Sequence, residues 1–184
     1  PSRDTPNLQF HIQPISTDKL GGANLHNFHA FTPTVANIRP TSRGEITISS
    51  KDTKVDPKIK MNYLSTDEDR KVAADGIKLI RKIVMETNEF KKYEPEEFRP
   101  GSHLNDKEEI VKACSHYAQT IFHPVGTCKM GNDDSAVVSD KLKVHGLNKL
   151  RVIDASIMPN ITSGNTNAPT IMIAEKGADM ILSA

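Results

Sequence analysis

Lys58-Ile59-Lys60-Met61-Asn62-Tyr63-Leu64-Ser65-Thr66-Asp67-Glu68 is the stretch in which one periodicity gives way to another, and it decides the fold. Up to Tyr63 apolar and polar side chains alternate, the period-two pattern of a half-buried strand. Beyond Leu64 the apolar residues recur every three or four positions, which is the spacing of one helix face. Between them, Ser65-Thr66-Asp67-Glu68 has the form of a capping box. Ser65 is placed to accept early backbone N–H groups, and Glu68 to reach back to it. A helix is predicted over 67–86, with Val72, Ala73, Ile77, Ile80 and Ile83 or Val84 as its packed stripe and Lys71, Lys78 and Lys82 in water.

Upstream, the same alternation returns twice, with a run of strand-forming residues between. Leu8, Phe10 and Ile12 alternate with Gln9, His11 and Gln13, predicting one packed face and one wet face. After a loop around Gly21-Gly22, the run 28–38 is rich in Phe, Val, Thr and Ile, and Pro33 within it points to an edge position or a break. Residues 44–48 alternate again. Successive strands joined by turns predict an antiparallel sheet, here of about five or six strands, a common size for such sheets.

Downstream, the polar stretch 91–103, with Pro95 and Pro100-Gly101, reads as a surface connection. Asn105-Asp106-Lys107-Glu108 opens a second helix, predicted over 106–119, with Ile110, Val111 and Cys114 facing inward. Leu150-Arg151-Val152-Ile153-Asp154 is a short apolar run ending in an acid, predicting a buried strand whose C-terminal end opens on a site. A last helix is predicted from Ala168-Pro169, apolar on nearly all faces through Ala174, Ala178 and Ile181 and therefore buried.

Composition narrows the function. With 24 basic and 23 acidic residues in 184, there is no basic excess to recruit nucleic acid or an anionic membrane. No run reaches the roughly 20 apolar residues of a membrane span. Cys114 and Cys128 are too few and too far apart for a disulfide framework or a zinc ribbon, and no metal site is expected. A soluble protein of the reducing cytoplasm follows. The length suits one domain, or a domain with a segment that belongs elsewhere. The sequon Asn160-Ile161-Thr162 reads as accidental without a secretory signal.

Two loops place irregular backbone beside apolar sequence: Phe122-His123-Pro124-Val125-Gly126-Thr127-Cys128-Lys129-Met130-Gly131, and Pro159-Asn160-Ile161-Thr162-Ser163-Gly164-Asn165-Thr166-Asn167-Ala168-Pro169. The residues admit two readings. In one, a histidine base and an asparagine donor converge beside a helix start, remove a proton and steady the oxyanion. In the other, His123 is a packed structural histidine and the Asn-rich turn is a helix cap.

The ordered strings His123 to Gly131, Val137-Val138, Val144-His145-Gly146, Leu150 to Pro159, Gly164 to Thr170 and Ala174-Glu175-Lys176 resemble the C-terminal signature of the glucose–methanol–choline (GMC) oxidoreductases. Arg39-Pro40-Thr41-Ser42-Arg43-Gly44 and the segment from Asp56-Pro57 to Asn62-Tyr63 are similar to that family's substrate domain. Among its members the pattern most resembles choline dehydrogenases and related alcohol dehydrogenases.

The resemblance implies an α+β fold. An antiparallel-sheet substrate-binding domain over 1–135 would carry helices on one face. Residues 136–184 would be a C-terminal segment whose strand and helix complete an FAD-binding domain absent from this chain. A complete member would carry Gly-x-Gly-x-x-Gly, and this sequence does not. The fragment alone is therefore expected to hold FAD weakly and to be inactive, with the missing N-terminal FAD-binding domain as its first partner.

The implied reaction is hydride transfer from a primary or amino, choline-like alcohol to the flavin, giving an aldehyde. His123 would be the base and Asn165 the donor to the alcohol oxygen, while Asp154, Ala155, Thr166 and Asn167 would border the flavin. A turn-forming role for Asp154 and a capping role for Asn167 stay open. Cys128 reads as a packed residue and Arg43 as structural. Two rivals stand beside this reading: a non-catalytic ligand-binding or interaction module, and an oxidase or lyase on the same scaffold. A homo-oligomer and peripheral membrane association of the full-length protein are compatible with all of them.

Overall fold

The structure is a computed structural model that describes residues 4–18 and 24–183. The Gly21-Gly22 loop lies outside the described residues. The chain divides into two compact units, each drawn from two stretches: Pro1–Asn37 with Leu64–Thr120, and Ile38–Tyr63 with Ile121–Ala184.

In the first unit β1 (Leu8–Gln13) pairs antiparallel with β2 (Thr32–Asn37), Phe10 opposite Val35 and Ile12 opposite Pro33. In a two-stranded sheet both strands are edges, so the N–H that Pro33 lacks is not missed. Helix α1 (Asp67–Glu86) packs on β2, where Val35 touches Gly76, and Val72, Ala74 and Gly76 are buried. The cover stops at β2: Phe10 and Ile12 of β1 keep 37% and 59% of their surface exposed. The expected wet and packed faces are thus reversed over the second half of β1, where His11 and Gln13 are half-buried. Lys71, Lys78 and Lys82 lie in water as predicted.

The α1 boundaries match the sequence reading, but the cap does not. Thr66, one residue later than expected, is extended and its Oγ1 accepts the Asp69 N–H at 3.3 Å. Ser65 lies outside the cap because the helix starts at Asp67, which makes Thr66 the half-in residue. Asp69 is itself buried and accepts from Asn37 Nδ2 at 3.2 Å. A short helix α2 (Asn88–Lys91) follows.

The polar connection beyond α2 is pinned rather than loose. Arg81 of α1 forms a two-pronged pair with Glu97, Nε to Oε2 at 2.8 Å and Nη2 to Oε1 at 2.9 Å. Its Nη groups also donate to the carbonyls of Leu104 and Gly101. Helix α3 (Lys107–Tyr117) is capped by Asp106, whose Oδ1 accepts the Glu108 and Glu109 N–H groups. Those amides hold its carboxyl below the ordinary range. Ile110 and Ala113 form its buried face. Cys114 is partly buried, which raises its thiol pKa.

In the second unit β3 (Glu45–Thr47) pairs antiparallel with β4 (Lys58–Lys60). Gly44 permits this hairpin, since a Cβ there would lie 2.2 Å from the Lys60 carbonyl oxygen. Ile46 faces Ile59 across the pair, and both are exposed. The described strands therefore form two two-stranded sheets instead of one sheet of five or six.

The core of this unit is Val138, Leu142, Ile157, Met158 and Ile173, ringed by Val125, Met130, Val152, Ile153 and others. The predicted strand at 150–154 is not formed. Arg151 makes one isolated bridge to Lys143, and Asp154 instead caps a 3-10 turn over Ala155–Ile157, its Oδ1 accepting the Ser156 N–H at 2.7 Å. An acid that can turn the chain locally competes with continued extension. Helix α4 (Asn167–Leu182) begins one residue before the expected start. Only Ile173 and Gly177 are buried in it, while Ile171, Met172, Ile181 and Leu182 are exposed, so the expectation of burial on nearly all faces fails in this chain.

Candidate active site

Both predicted loops belong to the second unit, the first fixed by backbone bonds and the second by side chains. The 122–131 loop is held by Cys128 N–H to Ser156 O at 3.0 Å and Met130 N–H to Ile157 O at 2.8 Å. Gly126, at φ +92°, brings the loop so close that a Cβ would lie 3.3 Å from the Met158 carbonyl oxygen. The 159–166 loop is held from the 38–63 stretch. Arg39 Nε donates to Ser163 Oγ at 3.1 Å, and Arg43 donates to Asn160 Oδ1 and to the carbonyls of Pro40 and Ser42. These bonds are compatible with a structural Arg43. Between these groups lies a cleft of about 360 Å³ lined by Arg39, Thr41, Arg43, Asn160, Ile161 and Ser163.

Each loop enters the site through a non-glycine residue in the left-handed region, Phe122 at φ 65° and Ser163 at φ 59°. For a bulky Phe this is an outlier that surrounding structure must enforce. It aims the next residue, His123, at the start of α4. His123 Nε2 lies 3.0 Å from Asn165 Nδ2, and Nδ1 lies 2.8 Å from Thr166 Oγ1. The two residues read from sequence as base and donor are therefore hydrogen-bonded to each other, 42 positions apart in the chain.

The four residues read as flavin neighbours divide. Thr166 is buried and occupied with His123, a contact that sequence reasoning missed. Asn167 is the exposed first residue of α4. Asp154 is exposed with its carboxylate on Ser156, and Ala155 opens the 3-10 turn to which the histidine loop is bonded. Cys128 is free and partly buried. Among the described residues no cluster of His, Cys, Asp and Glu could hold a metal ion.

In the first unit Ser16 Oγ lies 2.8 Å from His26 Nδ1, and His26 Nε2 lies 3.2 Å from Asp18 Oδ1. The bonding order resembles a nucleophilic triad. Phe28 and Phe98 pack on the imidazole, however, and Arg99 takes the same Asp18 oxygen. Hydrogen bonds from Arg99 first and His26 second lower the Asp18 pKa. The group ties Ser16 and Asp18 to His26 and Arg99.

The sequence model of the GMC oxidoreductases, C-terminal part, matches residues 40–174. The chain belongs to the GMC oxidoreductase family. This GMC chain is 45% identical over 176 residues to an oxygen-dependent choline dehydrogenase of Proteus mirabilis (strain HI4320), covering 96% of itself and 31% of that protein. It is 45% identical over 182 residues to an alcohol dehydrogenase [acceptor] of Pseudomonas putida, covering 99% and 33%. Among solved structures, an Aspergillus oryzae RIB40 formate oxidase variant superposes with a TM-score of 0.86 at 29% identity, covering 98% of this chain and 32% of the other. The chain thus spans about a third of the length of its relatives. The mixed α+β fold with small antiparallel sheets is that of GMC C-terminal regions.

Proposed function

We propose that this chain is the part of an FAD-dependent alcohol oxidoreductase that supplies its proton-handling groups. It would act on a primary or amino, choline-like alcohol and yield an aldehyde. The observation that carries the reading is the 3.0 Å contact between His123 Nε2 and Asn165 Nδ2. Two groups so close can share one substrate oxygen, the imidazole accepting its proton and the carboxamide donating to the oxygen as charge grows there. The amide binds the alkoxide-like oxygen more tightly than the neutral alcohol, so it favours the transition state.

The start of α4 suits a flavin. Asn167 and Ala168 present N–H groups that the helix itself does not use, and the helix start favours negative charge. Asp154, Ala155, Thr166 and Asn167 would border the cofactor, largely through backbone groups. When bound, FAD would supply the hydride acceptor.

In this reading residues 1–135 serve the substrate and residues 136–184 complete the flavin domain. The remaining two thirds of the relatives' length would supply the dinucleotide-binding fold and be the chain's first partner. Among the described residues no helix is long and apolar enough to cross a membrane, and both cysteines are free. These features support a cytoplasmic setting. A second reading, an oxidase on the same site, is favoured by structural likeness to a formate oxidase and, at TM-score 0.80, to a pyridoxine 4-oxidase.

The test is alcohol-driven bleaching of bound flavin in the full-length protein, followed by admission of oxygen. His123→Ala is expected to slow bleaching by on the order of a hundredfold, the lower range for a lost general base. Unchanged bleaching in that variant would remove His123 as the base. Rapid recovery of colour in oxygen selects the oxidase.

A further inference from the structure

We infer that Thr166 is a positioning residue that sets the tautomer of His123, so that Nε2 rather than Nδ1 carries the lone pair offered to substrate. The inference rests on His123 being the base, as proposed above.

The geometry begins with an unusual helix cap. Thr166 is the N-cap of α4, where a threonine hydroxyl ordinarily accepts an N–H from the first turn. Here it makes no such bond. The third helical residue is Pro169, which has no N–H to give. The Thr166 carbonyl is already taken by Thr170, from N–H at 3.0 Å and from Oγ1 at 2.6 Å. The hydroxyl, in a residue only 8% exposed, turns instead to His123 Nδ1 at 2.8 Å.

The other ring nitrogen fixes the direction of that bond. Asn165 presents Nδ2 to Nε2 at 3.0 Å, and an amide nitrogen has only hydrogens to offer. Nε2 therefore accepts, the ring proton sits on Nδ1, and Thr166 Oγ1 receives it. One group opposes this arrangement. The Thr166 backbone N–H points at Nδ1 from 3.5 Å and favours a proton on Nε2, where the ring could take nothing from an alcohol. The hydroxyl can accept as well as donate and lies 0.7 Å nearer than the amide, so it gives the Nδ1 proton that Asn165 requires its acceptor. Without it the amide stands alone at Nδ1, and the wrong tautomer gains.

Imidazole ¹⁵N chemical shifts of the chain, which distinguish protonated from bare ring nitrogens, test the tautomer apart from catalysis. The wild type is expected to show Nδ1–H at His123. Thr166→Val is expected to move population to Nε2–H, and Thr166→Ser to restore it. In the full-length protein, Thr166→Val should slow flavin reduction about tenfold, the scale of one hydrogen bond, with little change in alcohol affinity. Thr166→Ala repeats the test should the valine fail to fold. Nε2–H in the wild type, or wild-type tautomer and rate in both Thr166→Val and Thr166→Ala, overturns the inference. If His123→Ala leaves reduction unchanged while the tautomer still responds to Thr166, the base assignment fails and the positioning contact stands.

Discussion

At the scale of single residues, Asp133 shows how far a surface carboxylate can be tuned. Its Oδ1 accepts from the hydroxyl and the N–H of Ser135 at 2.6 and 3.0 Å, and Oδ2 accepts from Lys129 Nζ at 3.0 Å. The Ser135 hydroxyl first, and Lys129 next, lower its pKa from the ordinary 3.8 to about 2. The folded chain thus holds this proton less readily than the unfolded one. Asp133 contributes stability that is full above pH 3.8 and lost as the pH falls towards 2. A carboxyl ¹³C titration should give a midpoint near 2 in the wild type. Ser135→Ala should move it upward, and a midpoint unmoved by that change would assign the shift elsewhere. His123 and Asn165 were picked out by the resemblance to the GMC signature, since their irregular, Gly- and Pro-bearing loops alone left a packed histidine and a helix cap open. The Thr166 hydroxyl was not, because its direction depends on Pro169 withholding an N–H three residues later.

At the scale of elements, the seat of α4 depends on a glycine. A Cβ at Gly177 would lie 2.4 Å from Ile153 Cγ2 and 2.9 Å from its Cδ1, inside the second unit's core. Alanine in place of glycine within a helix gains about 1 kcal/mol, whereas overfilling a packed core costs about 1–3 kcal/mol. Overfilling wins here, since the nearest atom, Cγ2, sits on the branched Cβ of Ile153 and cannot swing aside without moving the whole side chain. Gly177→Ala should destabilise the chain by about 1 kcal/mol in chemical denaturation, and adding Ile153→Val should recover part of that loss. Stabilisation by Gly177→Ala alone would mean that Ile153 has room to turn. Helix α1 was readable to its ends because apolar spacing and exposed charges agree, although its cap is Thr66 rather than Ser65 and its buried face is Val72, Ala74 and Gly76. Residues 150–154 were misread because apolar content cannot separate a buried strand from a half-buried irregular segment, and the decisive bond, Asp154 to the Ser156 N–H, is local.

At the scale of the molecule, apolar side chains are not where a self-sufficient fold would put them. The chain is hydrophilic, with mean hydropathy −0.47, yet Ile46, Ile59, Ile171, Met172, Ile181 and Leu182 of the second unit are exposed. The sequence of α4, apolar on nearly all faces, asks for a buried helix. The chain leaves that demand unmet while spanning about a third of its relatives' length. If the rest of a full-length protein covers α4, the two contexts will respond differently to a charge there. Met172→Lys places an ammonium on a side chain that is 59% exposed. In the chain alone it should change the unfolding free energy by no more than about 0.5 kcal/mol, as surface substitutions do. In the full-length protein the same charge would be desolvated without a partner, so bound flavin and thermal midpoint should both fall. Calorimetry of FAD into the chain alone should meanwhile show negligible uptake. Equal tolerance of Met172→Lys in both contexts, or tight stoichiometric FAD binding by the chain, would show that α4 needs no cover and that the candidate site is complete as it stands.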